Sequence, residues 1–389
     1  MSKILIFGPL GDHGGRELET GFIAHALSKD FEVEILSSGN LTFKSQLFDF
    51  VPFEKVFTLN QLIYNKSFWF RLLSVLSSIR SKKKLDKYAF VSNSVAKSSG
   101  YRKFALSQIH SEIDKCDLVL LCAQITSNYV GEIVDYAKRN SIPVVFRPST
   151  TIHEENLIHR DWLNDINLYL HHSTSNANKL NSLNQHRFEI IDQCAYNEAK
   201  LLKLDVTNKA ENLLYAGRIS EEKGILDFTQ EFMKLKTNLR LRVVGDGPQM
   251  NKLESVAESF SKIHVLGFLD QDNLVKEIEK SDIVVIPSFE ESGPLIGLEA
   301  MASGRIILST KVGAMPERLE NLKNQFWFRV GDMESLKSNL VKIQCLKAEE
   351  IEKIAYQNRE CYLQKYTVEQ IKSQYKNAIF KALKSYELQ

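Results

Sequence analysis

Short apolar runs ending in glycine or polar residues alternate with stretches of helical periodicity along most of the chain. "KILIFG" (3–8) reads as a buried strand, and 14–30 as a helix with its apolar face on Leu18, Phe22, Ile23, Ala26 and Leu27. "FEVEILSS" (31–38), "DLVLLC" (117–122), a helix around 129–140 and "PVVFRP" (143–148) continue the series. It restarts with strands "NLLYAGR" (212–218), "LRLRVVGDG" (239–247), "IHVLGFL" (263–269), "DIVVIPS" (282–288) and "RIILST" (305–310), separated by helical stretches. Continuous apolar strands alternating with helices indicate parallel sheets covered on both faces. The pattern predicts an α/β protein of two doubly wound, Rossmann-like domains with a cleft between them. The boundary is placed near 200, at the end of the polar stretch 173–204.

Residues 60–104 break the alternation. The segment is aromatic, aliphatic and basic, and from Lys66 to Lys103 it carries ten Lys or Arg against one acid, Asp86. Phe68, Trp69, Phe70, Leu72, Leu73 and Leu76 lie near Arg80, Lys82, Lys83 and Lys84. Such a mixture suits an anionic lipid headgroup region. An ordinary helix with its apolar face packed on the sheet and its lysines in water has the same pattern.

A chain of 389 residues is long for one core, which agrees with two domains. The net charge of +2 gives no reason to expect a nucleic-acid partner. The five cysteines show no CxxC spacing, which fits a reducing compartment without a zinc site. The N-terminus lacks the pattern of a signal peptide and no apolar run is long enough to span a bilayer, so a cytoplasmic protein is expected.

Four segments carry candidate chemistry. In "YAGRISEEKG" (215–224) a strand ends at Gly217, followed by Arg218 and Lys223, a pair of cations suited to a diphosphate. The alternative is a solvated loop in which they pair with Glu221 and Glu222. In "VVGDGP" (243–248), Gly245, Asp246 and Gly247 form a glycine turn that lets backbone approach a ligand, or a tight turn with Asp246 as a helix cap. In "EESGPLIGLEA" (290–300), Pro294 suits a first helical turn, so the N–H groups of Gly293, Leu295 and Ile296 face an anion. Glu291 and Glu299 flank that helix start, and ionised carboxylates accept hydrogen bonds from vicinal hydroxyls. In "GPLGDHGGRE" (8–17), Gly14 and Gly15 precede a helix, yet the glycines are out of dinucleotide register and the following strand ends in "ILSSG". Both features argue against a dehydrogenase. "DQD" (270–272) reads as a helix cap, and no metal or other cofactor is assigned.

In their order and spacing, "AGRISEEKG", "VVGDGP", "VLGFL" and "SDIVVIPSFEESGPLIGLEAMASG" resemble the retaining glycosyltransferases of family four, which have the GT-B fold. The resemblance covers the C-terminal half. It implies a nucleotide-sugar donor, a UDP- or GDP-sugar, with Arg218 and Lys223 on the diphosphate. Glu291 would contact the donor sugar, Glu299 the ribose, and Gly14 and Gly15 would lie near the donor phosphate. Domains at 1–200 and 201–370 would take acceptor and donor, with 371–389 a helix returning to the first domain. The acceptor side is less defined, because the strand that often leads to a histidine in the family runs here into Arg147 and Ser149. His13, Arg147, Ser149 and His153 are the candidates there. The family mechanism requires no metal. The expected partners are a nucleotide sugar, a glycan or lipid-linked acceptor and an anionic membrane surface, and the expected place is the cytoplasmic face of that membrane. A nucleotide-sugar-binding protein without turnover is the alternative.

Overall fold

The structure is a computed structural model that describes residues 1–81, 87–182 and 185–387. The chain divides into two compact units. The first comprises 1–171, 177–191 and 372–389, the second 172–176 and 192–371.

The first unit is built on seven strands: β1 (Lys3–Gly8), β2 (Glu32–Ser37), β3 (Val56–Thr58), β4 (Leu118–Ala123), β5 (Val144–Pro148), β6 (Leu168–His171) and β7 (Phe188–Ile190). They form one parallel sheet in the order β3-β2-β1-β4-β5-β6-β7. The second unit carries β8 (Asn212–Ala216), β9 (Arg240–Val244), β10 (Ile263–Gly267), β11 (Ile283–Ile286), β12 (Ile306–Ser309) and β13 (Phe326–Trp327). Their order is β10-β9-β8-β11-β12-β13, again parallel.

Successive strand residues feed opposite faces of the second sheet. Leu213, Tyr215, Ile283 and Val285 join one apolar core, while Leu214, Val284 and Ile286 join the other. Burial on both faces is why these strands read as unbroken apolar runs. In each sheet the winding reverses once, between β1 and β4 and between β8 and β11. Ligands of doubly wound sheets bind at the carboxyl ends of the strands beside such a reversal.

The passage from first to second unit falls between Ile191 and Asp192, earlier than the predicted 200. Cys194, Ala195 and Leu201 lie on the second unit's side of that passage and are fully buried, so the polar look of the stretch misplaced the boundary. The last helix, Val368–Glu387, contributes its residues from Lys372 onward to the first unit. There Phe380 packs on Phe31 at 4.7 Å, and Lys376 pairs with Asp30 at 2.7 Å.

Residues 59–113 add the helices Leu59–Lys66, Phe68–Arg80, Ser94–Ser98 and Tyr101–Ile113 to the first unit. Lys82, Lys83 and Lys84, part of the basic cluster, lie outside the described residues.

Candidate functional site: a cationic loop cluster and a helix N-terminus

The loops leaving β8, β9, β11 and β12 are stitched into one surface at the carboxyl edge of the second sheet. Gly224 is left-handed (φ 61°), and a Cβ there would lie 2.2 Å from the Pro287 carbonyl at the end of β11. The amides of Phe289 and Glu290 both donate to the Glu222 carbonyl, at 2.9 and 3.3 Å. Gly245 (φ 141°) and Gly247 bring the β9 loop onto the β8 loop, since Cβ atoms there would lie 1.8 Å from the Gly217 carbonyl and 2.3 Å from that of Ile219. These two glycines thus let the β9 loop pack directly on the β8 loop. Asp246 accepts from its neighbour Gly247 N–H at 2.7 Å, and the helix that follows is capped at Gln249, so Asp246 is no helix cap. The loop after β12 joins through Ala314 N–H donating to the Ser292 carbonyl at 3.0 Å.

This packing fixes the charged side chains. Lys223 Nζ meets Glu291 Oε1 at 2.5 Å, and Ser288 Oγ donates to the same oxygen at 3.1 Å. Lys223 thus pairs across loops with Glu291, and no ion pair to Glu221 or Glu222 is formed among the described residues. Arg218 is exposed, its backbone held by the buried Tyr215 hydroxyl donating to its carbonyl at 2.6 Å. Burial works to raise the pKa of Glu222, but the Ser220 hydroxyl and its own backbone, with the Lys223 and Arg218 charges, outweigh it and hold the carboxyl below its ordinary value. The two cations therefore act on a common patch.

The helix Leu295–Ala302 begins at the same edge. Pro294 is its N-cap in extended conformation (φ −64°, ψ 117°), one position before the first turn where the sequence places it. Among the described residues the N–H groups of Gly293, Leu295 and Ile296 have no acceptor, so the positive end of the helix is open to an anion. Arg318 secures this terminus. Its buried guanidinium donates to the Pro294 carbonyl at 2.5 Å and, through Nε and Nη2, to Asp192 at 2.8 and 2.6 Å. Sequence reasoning missed both residues. Glu299 is not an exposed surface acid. It is 3% exposed, desolvation pushes its carboxyl up to about 7, and among the described residues no donor is directed at it.

In the first unit, Gly14 is the N-cap of the helix Gly15–Leu27, with φ 144°, while a Cβ at Gly15 would meet nothing within 4 Å. The glycine loop is tied down by one side chain of its own and one from a later segment. Glu17 accepts from Gly11 N–H at 2.8 Å and Gln46 from Gly14 N–H at 3.0 Å. His13 is exposed and His153 half-buried. Ser149 accepts from Arg16 Nε at 3.1 Å, which makes Arg16 a further polar residue of this edge that the sequence did not single out. Arg147 corrects the acceptor-side expectation. It is 1% exposed, donates to Glu19 at 2.6 Å and to the Ile191 carbonyl at 2.6 Å, and lies 5.6 Å from the Tyr375 ring. A guanidinium so committed holds the core of its unit together. Asp270 caps its helix as read, accepting from Asn273 N–H at 2.8 Å, and Asp272 pairs with Lys200.

With this geometry in view, the two parallel Rossmann-like sheets define a GT-B fold. The structure of HepE from Anabaena in complex with UDP and glucose superposes with a TM-score of 0.72 at 16% identity, covering 97% of this chain and 99% of that one. Residues 210–344 match the family model of Glycosyl transferases group 1, so the loop cluster and the helix N-terminus lie wholly inside the matched segment. N-acetyl-alpha-D-glucosaminyl L-malate synthase of Bacillus anthracis is 28% identical over 205 residues, 51% of this chain and 53% of that protein. Lipopolysaccharide 1,2-N-acetylglucosaminetransferase of Salmonella typhimurium is 34% identical over 129 residues, 30% of this chain and 34% of that protein. The chain thus spans between a third and about half of the length of these curated relatives.

Proposed function

We propose that the protein transfers a sugar from a nucleotide-sugar donor to a glycan or lipid-linked acceptor, with retention of configuration, in the synthesis of a cell-surface polysaccharide. One observation carries the donor half of this reading. A buried, donor-less carboxylate (Glu299) and an open helix N-terminus lie on the same short helix, beside two cations held by the neighbouring loop. A vicinal diol satisfies the carboxylate, and a diphosphate satisfies the amides and the cations. Arg218, Lys223 and the N–H groups at Gly293 would stabilise the charge that grows on the leaving diphosphate, in place already before reaction. Glu291, oriented by Lys223 and Ser288, would hold hydroxyls of the transferred sugar.

The relatives' N-acetylglucosaminyl activities and the UDP of HepE make uridine diphosphate sugars the first donors to test, with GDP-sugars second. The reading invokes no metal and no other cofactor. The first unit would receive the acceptor, with His13, Ser149 and Arg16 at its edge, and a lipid-linked acceptor would place the protein at the cytoplasmic face of a membrane. The decisive experiment incubates purified protein with UDP- and GDP-sugars and a membrane extract containing lipid-linked glycan, and assigns the product anomer by NMR. An α-linked product from an α-linked donor is expected. Tight donor binding with neither transfer nor hydrolysis would leave a nucleotide-sugar-binding protein instead, and an inverted product would remove the retaining mechanism.

A further inference from the structure

The helix Phe68–Arg80 turns its apolar face outward. Phe68, Trp69, Leu72, Val75, Leu76 and Ile79 are 78, 50, 39, 38, 46 and 77% exposed. At about 100° per residue these six side chains fall within an arc of roughly 120°. The opposite side of the helix holds it to the first unit. Phe70 packs edge-on against Tyr101 at 5.9 Å, buried Ser74 donates to the Lys87 carbonyl at 2.5 Å, and Asn93 donates to Ser77 Oγ at 3.0 Å and to the Leu73 carbonyl at 3.3 Å. Phe70, Leu73 and the polar Ser74 and Ser77 thus secure the inner face, while a second set of large apolar side chains meets solvent on the outer one, where an amphipathic helix ordinarily carries polar residues. An uninterrupted apolar stripe of this kind marks a contact surface.

Charge identifies what covers it. The helix has no acid, and Arg71 and Arg80 are exposed at the two edges of the apolar arc. Across Lys66–Lys103 the sequence carries ten basic residues and one acid. Pairing this face with a second copy would bring those cations against one another. An anionic lipid leaflet accepts the stripe into its headgroup boundary and attracts the cations around it. The helix has 13 residues, about 20 Å of rise, too short to cross a hydrocarbon layer of about 30 Å. No helix among the described residues is long and apolar enough to cross a membrane.

We infer that Phe68–Arg80 is an interfacial helix that docks the first unit on an anionic membrane surface, lying in the plane of the headgroups. The inference names the element by which the proposed lipid-linked acceptor would be approached, and its test uses neither donor nor acceptor. The full-length protein is sedimented with phosphatidylcholine vesicles, with and without about a third phosphatidylglycerol, at low and high salt. Wild type should sediment with the anionic vesicles at low salt and be partly released by high salt. The double variant Leu72→Glu with Leu76→Glu, at solvent-facing positions, should bind at least tenfold more weakly with an unchanged circular dichroism spectrum and melting temperature. Arg80→Glu should weaken binding mainly at low salt. Wild type that ignores anionic vesicles, or a double variant that binds like wild type, overturns the inference. Failure to bind together with self-association that the double variant abolishes would assign the face to a second copy. None of these outcomes bears on sugar transfer to a soluble acceptor, which is assayed separately.

Discussion

The Arg318 guanidinium chelates the Asp192 carboxylate through two hydrogen bonds of 2.8 and 2.6 Å and spends its third edge on the Pro294 carbonyl. Asp192 is the residue at which the chain enters the second unit, and Pro294 is the N-cap of the helix that carries Glu299. One buried ion pair therefore fixes both the start of the unit and the direction of the open helix terminus. Burial alone would lower the Arg318 pKa, but the Asp192 charge and hydrogen bonds reverse this and raise it. Removing one partner leaves an uncompensated buried charge. Arg318→Ala or Asp192→Ala should cost about 3–5 kcal/mol in urea unfolding. Arg318→Lys, which keeps the charge and loses the fork, should fall between these and wild type. Stabilities of Arg318→Ala and Asp192→Ala within experimental error of wild type would deny the pair this role.

Arg218 and Lys223 are the cations of the loop cluster, and neither is buried in the core. Arg218→Ala and Lys223→Ala should therefore leave the melting temperature nearly unchanged while lowering turnover by about a hundredfold or more, because growing negative charge loses a prepositioned partner. Loss of Lys223 also removes the cation that orients Glu291, so its KM for the intact nucleotide sugar should rise more than that of the Arg218 variant. Near-normal kcat in both variants at saturating donor would remove them from the reaction.

The parts that could be read in advance are those whose signal is local. Strand β11 and the helix Leu295–Ala302 are adjacent in the chain, so the glutamates flanking the helix start and the amides between them show as a pattern. Arg318 and Asp192 do not, because they meet that helix only in three dimensions, and "MPER" and "IDQC" read alone as a turn and a linker. Arg147 failed in the opposite sense. Its place at the end of β5 looks like a site position, but Glu19 and the Ile191 carbonyl bury it. Strands β3, β7 and β13, of two or three residues, are too short for periodicity to register. The helix Phe68–Arg80 exposes a further limit. Periodicity shows that a helix has an apolar face but not that the face points away from the protein, which here follows from the hydrogen bonds of Ser74 and Asn93.

Two glycines that look alike in sequence should respond differently. Gly245 has φ 141°, and an added Cβ would lie 1.8 Å from the Gly217 carbonyl, a backbone atom with no room to yield. Gly245→Ala should destabilise by about 1–3 kcal/mol or more. Gly15 is exposed and nothing lies within 4 Å of its missing Cβ, so Gly15→Ala should unfold at or slightly above the wild-type midpoint. Steady-state kinetics of the Gly15 variant then isolate its proposed place near the donor phosphate. A fall in turnover at full stability supports it, and unchanged kinetics would place the phosphate elsewhere.

Glu299 makes donor binding depend on pH in a stated direction. Burial raises its carboxyl from the ordinary 4.5 to about 7. The folded apo protein therefore holds a proton that the unfolded chain releases at lower pH. The contribution of this one group to stability should be full below about pH 4.5, fall as pH rises towards 7, and level off above, by on the order of 3 kcal/mol at most, and is read as the difference between wild type and Glu299→Gln. Ligand binding runs the other way. A diol needs acceptor lone pairs, which the ionised carboxylate supplies, so affinity should rise with pH through the same range. Between about pH 6 and pH 8 a single group titrating near 7 gives roughly a tenfold gain. Calorimetry with an intact nucleotide sugar is the clean measurement, because its diphosphate carries no group that titrates there. Glu299→Gln should bind more weakly at pH 8, show no such gain, and raise the apo melting temperature at that pH. A wild-type affinity that is flat from pH 6 to 8, or a glutamine variant that keeps the slope, would show that the diol does not meet Glu299.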